Sequence, residues 1–235
     1  MMDNPQKIIK KLETEFVKIA DSIKAKDQQR YMKSKLPFFG VSLPDVRKIS
    51  KTIFKDFVPE DNHEYCETLL YLFENAKQRE IWYAAETYAS KFKVFISEKN
   101  LDVYLKVIRI ARWWDIVDPF AANLVGKALL ESKYKHMFAN KWIVDEDMWV
   151  RRTALLFQLK YKDRTDFDLL SELILKVAHE KEFFIRKAIG WSLREYSKTN
   201  PDAVKRFIEQ NREKLSGLSI REGLKVINRS KNVMS

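Results

Sequence analysis

The sequence predicts an all-α chain built as an array of paired helices. Three observations predict it. Apolar residues recur at helical spacing along the chain, and no run alternates convincingly between turn signals. Turn markers are scarce, with 5 Gly and 6 Pro in 235 residues, which argues against a barrel or sandwich of many tight turns. The helical segments also come in pairs of roughly 35 to 40 residues, the period of two-helix solenoid repeats of the HEAT type. No self-similarity is visible between repeats, so the array rests on helix count and spacing. A compact bundle is the structural alternative.

The elements follow in order. Asn4 or Pro5 opens a helix with Ile8, Ile9, Leu12, Phe16 and Ile19 at helical spacing. A largely polar segment, 25–34, carries Tyr31 among Arg30, Lys33 and Lys35. A tyrosine on such a basic face is a candidate stacking residue or a half-buried packing residue. After the loop Pro37-Phe38-Phe39-Gly40, the run Ser42-Leu43-Pro44-Asp45 reads as an N-cap region. It leads into a helix to about Phe57, with Arg47 in its first turn. Helices are then expected at 63–75, 79–92, 101–111, 114–132, 134–143, 147–161, 166–179, 183–196, 201–210 and 219–228.

Composition bounds the class. With 46% hydrophobic and 13% aromatic residues, the chain can bury a sizeable core, and one large domain over 1–235 is expected. A single cysteine, Cys66, excludes an intramolecular disulfide and a Cys-rich zinc site, and its apolar helical setting reads as a buried thiol. His63, His136 and His179 lie far apart among polar residues, so no metal site is expected. The beginning of the chain has no signal-peptide layout and no apolar run approaches membrane-spanning length; the expected compartment is the cytoplasm.

The net charge is +11, and its distribution matters more than its size. Residues 1–58 carry 13 Lys/Arg against 7 Asp/Glu, residues 59–145 carry 12 against 13, and residues 146–235 carry 19 against 13. Two basic flanks bracket a near-neutral middle. That pattern suits a clamp whose arms hold phosphates; a solvated lysine-rich surface is the plainer reading.

Three stretches could carry chemistry. In Trp113-Trp114-Asp115-Ile116-Val117-Asp118, helical geometry stacks Trp114 and Asp118 on one face. An indole beside a carboxylate is a cradle for a cation or a developing positive charge, although tryptophans also serve packing and an aspartate near a helix start also serves as a cap. In Met148-Trp149-Val150-Arg151-Arg152, arginines in the first turns oppose the helix dipole. Phosphate binding would explain them, and so would pairing with Asp145-Glu146-Asp147. In the segment from Phe183 to Tyr196 the core stripe is Ile185, Ile189, Leu193 and Tyr196. Trp191 falls off that stripe, between Lys187 and Arg194, where it could meet a nucleic-acid backbone. Gly190 would let something approach the helix closely. No P-loop, G-x-G-x-x-G, H-E-x-x-H or G-x-S-x-G motif is present.

The runs WWDIVD, MWVRRTALLFQLKYK, KEFFIRKAIGWSLREYSKTNPD and RYMKSKLPFFGVSLPDVRK together resemble the AlkD family of bacterial HEAT-like-repeat DNA glycosylases. The four stretches span nearly the whole chain in that family's order. The resemblance implies a C-shaped α-solenoid that grips duplex DNA on a basic concave face, acts as a monomer in the bacterial cytoplasm, and uses no metal or organic cofactor. The implied reaction is hydrolysis of the N-glycosidic bond of cationic alkylated purines such as 3-methyladenine and 7-methylguanine. By residue, it implies a catalytic carboxylate at Asp118, cleft tryptophans at Trp114 and Trp191, a DNA-contacting tyrosine at Tyr31, and a phosphate-contacting arginine at Arg152. Arg47, Lys187 and Arg194 join these as expected DNA contacts from their basic surroundings. The competing expectation is a HEAT-like DNA-binding module without catalysis; a third is a helical protein scaffold with the tryptophans as interface anchors.

Overall fold

The computed structural model describes residues 4–233, and among them every regular element is helical. The chain divides into two compact units, residues 1–116 and 117–235. The first contains α1 (Asn4–Val17), α2 (Ser22–Met32), α3 (Leu43–Ile53), α4 (Asn62–Glu74), α5 (Arg79–Lys91) and α6 (Leu101–Ala111). The division falls inside α7 (Trp114–Pro119), which runs into a π-helical segment, Phe120–Val125, and then α8 (Gly126–Leu129). The second unit continues with α9 (Lys135–Trp142), α10 (Met148–Leu156), α11 (Phe167–Val177), α12 (Phe183–Tyr196), α13 (Pro201–Gln210), α14 (Gly217–Gly223) and α15 (Lys225–Val233). This is the all-α architecture expected of stacked helical repeats.

In the first unit, α1 buries Ile8, Leu12 and Phe16, spaced four residues apart on one stripe. Fully burying such side chains contributes about 1.5–3 kcal/mol each. Ile19 departs from the expected stripe: the helix ends at Val17, and Ile19 is left exposed. The polar helix α2 buries only Met32, and it begins earlier than its apolar pattern suggests because Asp21 caps it, accepting from the amides of Ile23 and Lys24. Ser42 caps α3 by accepting from the Asp45 amide, as the sequence indicates. The helix stops at Ile53, short of Phe57. α5 buries residues on nearly every face, among them Ile81, Ala84, Ala85, Tyr88 and Ala89, and packs against both α3 and α4. Its alanines permit that sandwiched position. Cys66 is half-buried rather than buried, and the burial it has pushes its thiol pKa up.

One buried carboxylate organises the connection from α2 to α3. Glu80, on α5, accepts hydrogen bonds from the amides of Phe39, Gly40 and Val41 at 3.0–3.2 Å. These bonds satisfy three loop amides that would otherwise be buried without partners. Burial nevertheless pushes the Glu80 pKa up, outweighing the bonds that pull it down. Gly40 has φ +86°, and a Cβ there would fall 2.0 Å from the Asp21 carbonyl oxygen, so both backbone conformation and space require glycine.

In the second unit, α10 packs against α9, α11 and α12, and α12 packs most extensively on α14. The expected α10 helix to Tyr161 ends at Leu156, and a single expected helix over 219–228 is two helices broken at Leu224. Gly126 presses against the Phe157 carbonyl, where a Cβ would come within 2.2 Å of its oxygen.

Candidate functional site

α7 carries two carboxylates, each gripped by an arginine from the same unit. In the first unit Asp115 accepts from Arg79 on α5: Nη2 to Oδ1 at 2.5 Å and Nε to Oδ2 at 3.1 Å. The Tyr83 hydroxyl donates a third bond to Oδ2 at 2.7 Å. Both charged side chains are almost wholly buried, 5% and 8% exposed, and the Arg79 guanidinium also lies over the Trp82 ring. Burial, followed by the Asp115 charge, holds the Tyr83 hydroxyl well above the usual phenol range, so it acts as a donor.

In the second unit Asp118 accepts from Arg152 on α10, Nε to Oδ1 at 2.7 Å and Nη2 to Oδ2 at 2.8 Å. This is the fork-to-fork geometry in which arginine binds carboxylate most strongly. Asp118 is 7% exposed and Arg152 4%. Arg152 Nη1 donates in addition to the Phe184 carbonyl at the start of α12, whose ring stacks at a tilt on Trp149. Arg152 is therefore met as a buried partner of Asp118 and not as an exposed phosphate contact. The acidic stretch 145–147 is engaged by its neighbour instead: Arg151 donates to the carbonyls of Asp145 and Glu146 and forks onto Glu180.

α12 supplies the third stretch. Ile185, Ile189 and Leu193 are buried as expected, whereas Tyr196 is half-buried and stacks on Phe167. Trp191 is half-buried, off the stripe. The partner that Gly190 admits is α14: a Cβ on Gly190 would sit 2.5 Å from Cβ of Glu222 and 3.0 Å from the Ser219 carbonyl oxygen. Glu222 then takes both cations that flank Trp191 in sequence, Lys187 Nζ at 3.0 Å and Arg194 Nη1 at 2.6 Å. The Lys187 hydrogen bond is the main cause that holds the Glu222 carboxyl below its usual range. Lys187 and Arg194, expected as DNA contacts, are thus ion-paired within the unit.

The remaining expected residues lie in the first unit. Tyr31 projects from α2 at 75% exposure and is not a half-buried packing residue. Arg47 on α3 is half-exposed and approaches Glu86 at 3.8 Å. Trp114, at the start of α7, is half-buried.

Sequence reasoning missed Arg79, Tyr83 and Glu222. A signal for two of the pairs exists: Arg79 and Asp115 are 36 residues apart, and Asp118 and Arg152 are 34 apart. Both separations are about one helical-repeat period, so bridging ion pairs keep the repeat that the apolar residues blur.

The model of one protein family, described as DNA alkylation repair enzyme, matches residues 12–227. The chain belongs to that family. A solved structure described as a predicted DNA alkylation repair enzyme from Enterococcus faecalis is similar in sequence and fold, with 31% identity and a TM-score of 0.79, over 88% of this chain and 95% of that one. No curated protein matches. Membership makes alkylation repair the role of this chain, with DNA as its substrate, and it makes the chain an enzyme. Among the described residues no helix is long and apolar enough to cross a membrane.

Proposed function

We propose that this alkylation repair enzyme is a monofunctional DNA N-glycosylase acting on cationic alkylated purines, 3-methyladenine and 7-methylguanine, in duplex DNA. The observation that supports it most is the Asp118–Arg152 pair. A bidentate guanidinium fixes the carboxylate in one rotamer, and a catalytic group held on a helix by a second residue is pre-organised for a developing charge.

The chemistry suits these residues. Alkylation puts a positive charge on the purine, so the bond from C1′ of the deoxyribose to the base nitrogen breaks with its electron pair going to the base. The base leaves neutral, and no general acid is required. Positive charge then develops on the sugar, and Asp118 stabilises that oxocarbenium character and orients the water that adds at C1′ and releases its proton to solvent. The family resemblance gives Trp114 and Trp191 the part of π faces for cationic character. Tyr31 and Arg47 contact the DNA backbone; Arg152 serves the reaction through Asp118. The chain's own side chains suffice for each step.

A second reading, an alkylation repair enzyme in which Asp118 is structural and another group carries the reaction, draws on the burial of the same pair, since a buried bidentate ion pair is also what a structural link between helices looks like. One assay separates the two. Purified chain with methylated duplex DNA and EDTA should release free alkylated base, and Asp118→Asn should release it far more slowly in a folded protein. No base release by the wild type, or full activity in folded Asp118→Asn, would overturn the proposal.

A further inference from the structure

Lys187 and Arg194 are the two cations nearest Trp191 along its helix, and both are spoken for by one carboxylate. Glu222 offers Oε1 to Lys187 and Oε2 to Arg194, so each oxygen holds a different cation. The three side chains are partly exposed, at 36% for Lys187, 25% for Arg194 and 17% for Glu222. The pairs sit at a solvent-reachable surface, where an incoming phosphate could compete for the same donors. Two features show that the approach of Glu222 is built in. Gly190 lacks the Cβ that would collide with Glu222, and Gly223 seats against Leu193, where a Cβ would meet Leu193 Cβ at 3.2 Å. Ser219 fastens α14 to α12 by donating from its hydroxyl to the Arg186 carbonyl at 3.0 Å. α14 is docked so that its carboxylate reaches both cations at once.

We infer that Glu222 is a specificity-determining residue that holds Lys187 and Arg194 in internal ion pairs and so limits the grip of the Trp191 helix on undamaged DNA. The inference rests on the proposed action on duplex DNA. A repair enzyme that must leave intact duplex gains nothing from two free cations beside its cleft tryptophan. Phosphate contacts raise affinity for every sequence and lesion alike. Pairing the cations to Glu222 removes that indiscriminate contribution and keeps their charge available to a substrate that brings its phosphate close enough to displace the carboxylate.

The test is a salt titration of the full chain on undamaged and methylated duplexes. Each phosphate contact contributes about 0.9 to the slope of log affinity against log salt, which is about 3.5-fold in affinity over a fourfold salt range. In Glu222→Gln, which keeps the shape and removes the charge, undamaged DNA should bind with a slope steeper by about one to two contacts. The preference for methylated over undamaged duplex should fall. Lys187→Gln should change the wild-type slope by less than about half a contact but remove about a full contact in the Glu222→Gln background. A merely structural Glu222 would lower the melting temperature and leave both slopes alone. Unchanged slopes in folded Glu222→Gln overturn the inference. If that variant does not fold, loss of a full contact from Lys187→Gln alone overturns it. A wild type that releases alkylated base while these slopes stay flat sinks the inference and leaves the proposed function standing. A wild type that binds no duplex DNA sinks both.

Discussion

Two carboxylates three residues apart on α7 sit in different electrostatic company. Asp115 receives three hydrogen bonds from two residues of α5, with the Tyr83 hydroxyl completing what Arg79 begins. At Asp118 the gripping arginine is itself anchored: Arg152 forks onto the carboxylate and also donates to the Phe184 carbonyl at the start of α12. The first arrangement adds a tyrosine to the carboxylate. The second ties the arginine to a further helix. The difference teaches what the proposed function asks of each acid: Asp115 ties α7 to α5, while Asp118 is held by an arginine that α12 holds in turn.

Breaking each pair in turn tests that contrast, and the largest effect is expected at Asp118. Asp118→Asn should cost about 10²–10³ in single-turnover base release, near 3–4 kcal/mol, beyond any loss of stability. Asp115→Asn should cost about 3–5 kcal/mol of stability, because Arg79 would be left as an uncompensated buried charge, with turnover per folded molecule little changed. Thermal or denaturant melts beside base release on the same preparations decide it; equal turnover losses in the two variants would erase the distinction. Arg152→Ala comes next, with base release down about 10²-fold through a misplaced Asp118. Its salt slope should change by much less than one contact, and a loss of a full contact would show that Arg152 reaches a phosphate.

Much of this was legible in the sequence, and the exceptions have physical causes. Helix existence followed from spacing wherever one face is apolar, as in α1 with Ile8, Leu12 and Phe16. Helix ends did not, because they depend on caps: Asp21 starts α2 ahead of its first apolar signal. Asp118 could be singled out from its neighbourhood, since a tryptophan four residues before it is a local pattern. Its partner could not, because Arg152 is a long-range contact and its alternatives, a phosphate or the nearby acids, were equally reasonable. Lys187 and Arg194 looked free for the same reason. Glu222 reaches them from 35 and 28 residues away, across a contact that only Gly190 permits.

The smallest expected effect concerns Glu80, the carboxylate that ties the 39–41 loop amides beside Arg79. Its pKa is raised in the folded protein, so the folded state holds its proton more tightly than the unfolded state does. Stability from this residue is therefore greatest below the ordinary glutamate range and is lost as pH rises from that range through the raised folded value. Glu80→Gln keeps an acceptor oxygen for the loop amides and cannot titrate. The stability of the wild type relative to Glu80→Gln should decline as pH rises through that window; a constant difference would contradict the raised pKa.

The π-helical segment after Pro119 has a consequence for how this region can vary. Proline has no N–H to offer the Asp115 carbonyl, and the turns that follow, Phe120–Val125, are wound wide. A wide turn is a phase change in the helix: each residue of an α-helix advances about 100°, so one extra residue in a turn rotates everything after it by about that angle. Phe120, Ala121, Leu124 and Val125 are buried under this altered phase, and Gly126 meets the Phe157 carbonyl under it. Removing one residue between 120 and 125 would therefore act as a rotation and not as a shortening. It would swing Gly126 off the Phe157 carbonyl and bring a side chain to that place. Length in this stretch is held as tightly as the identity of any residue in it.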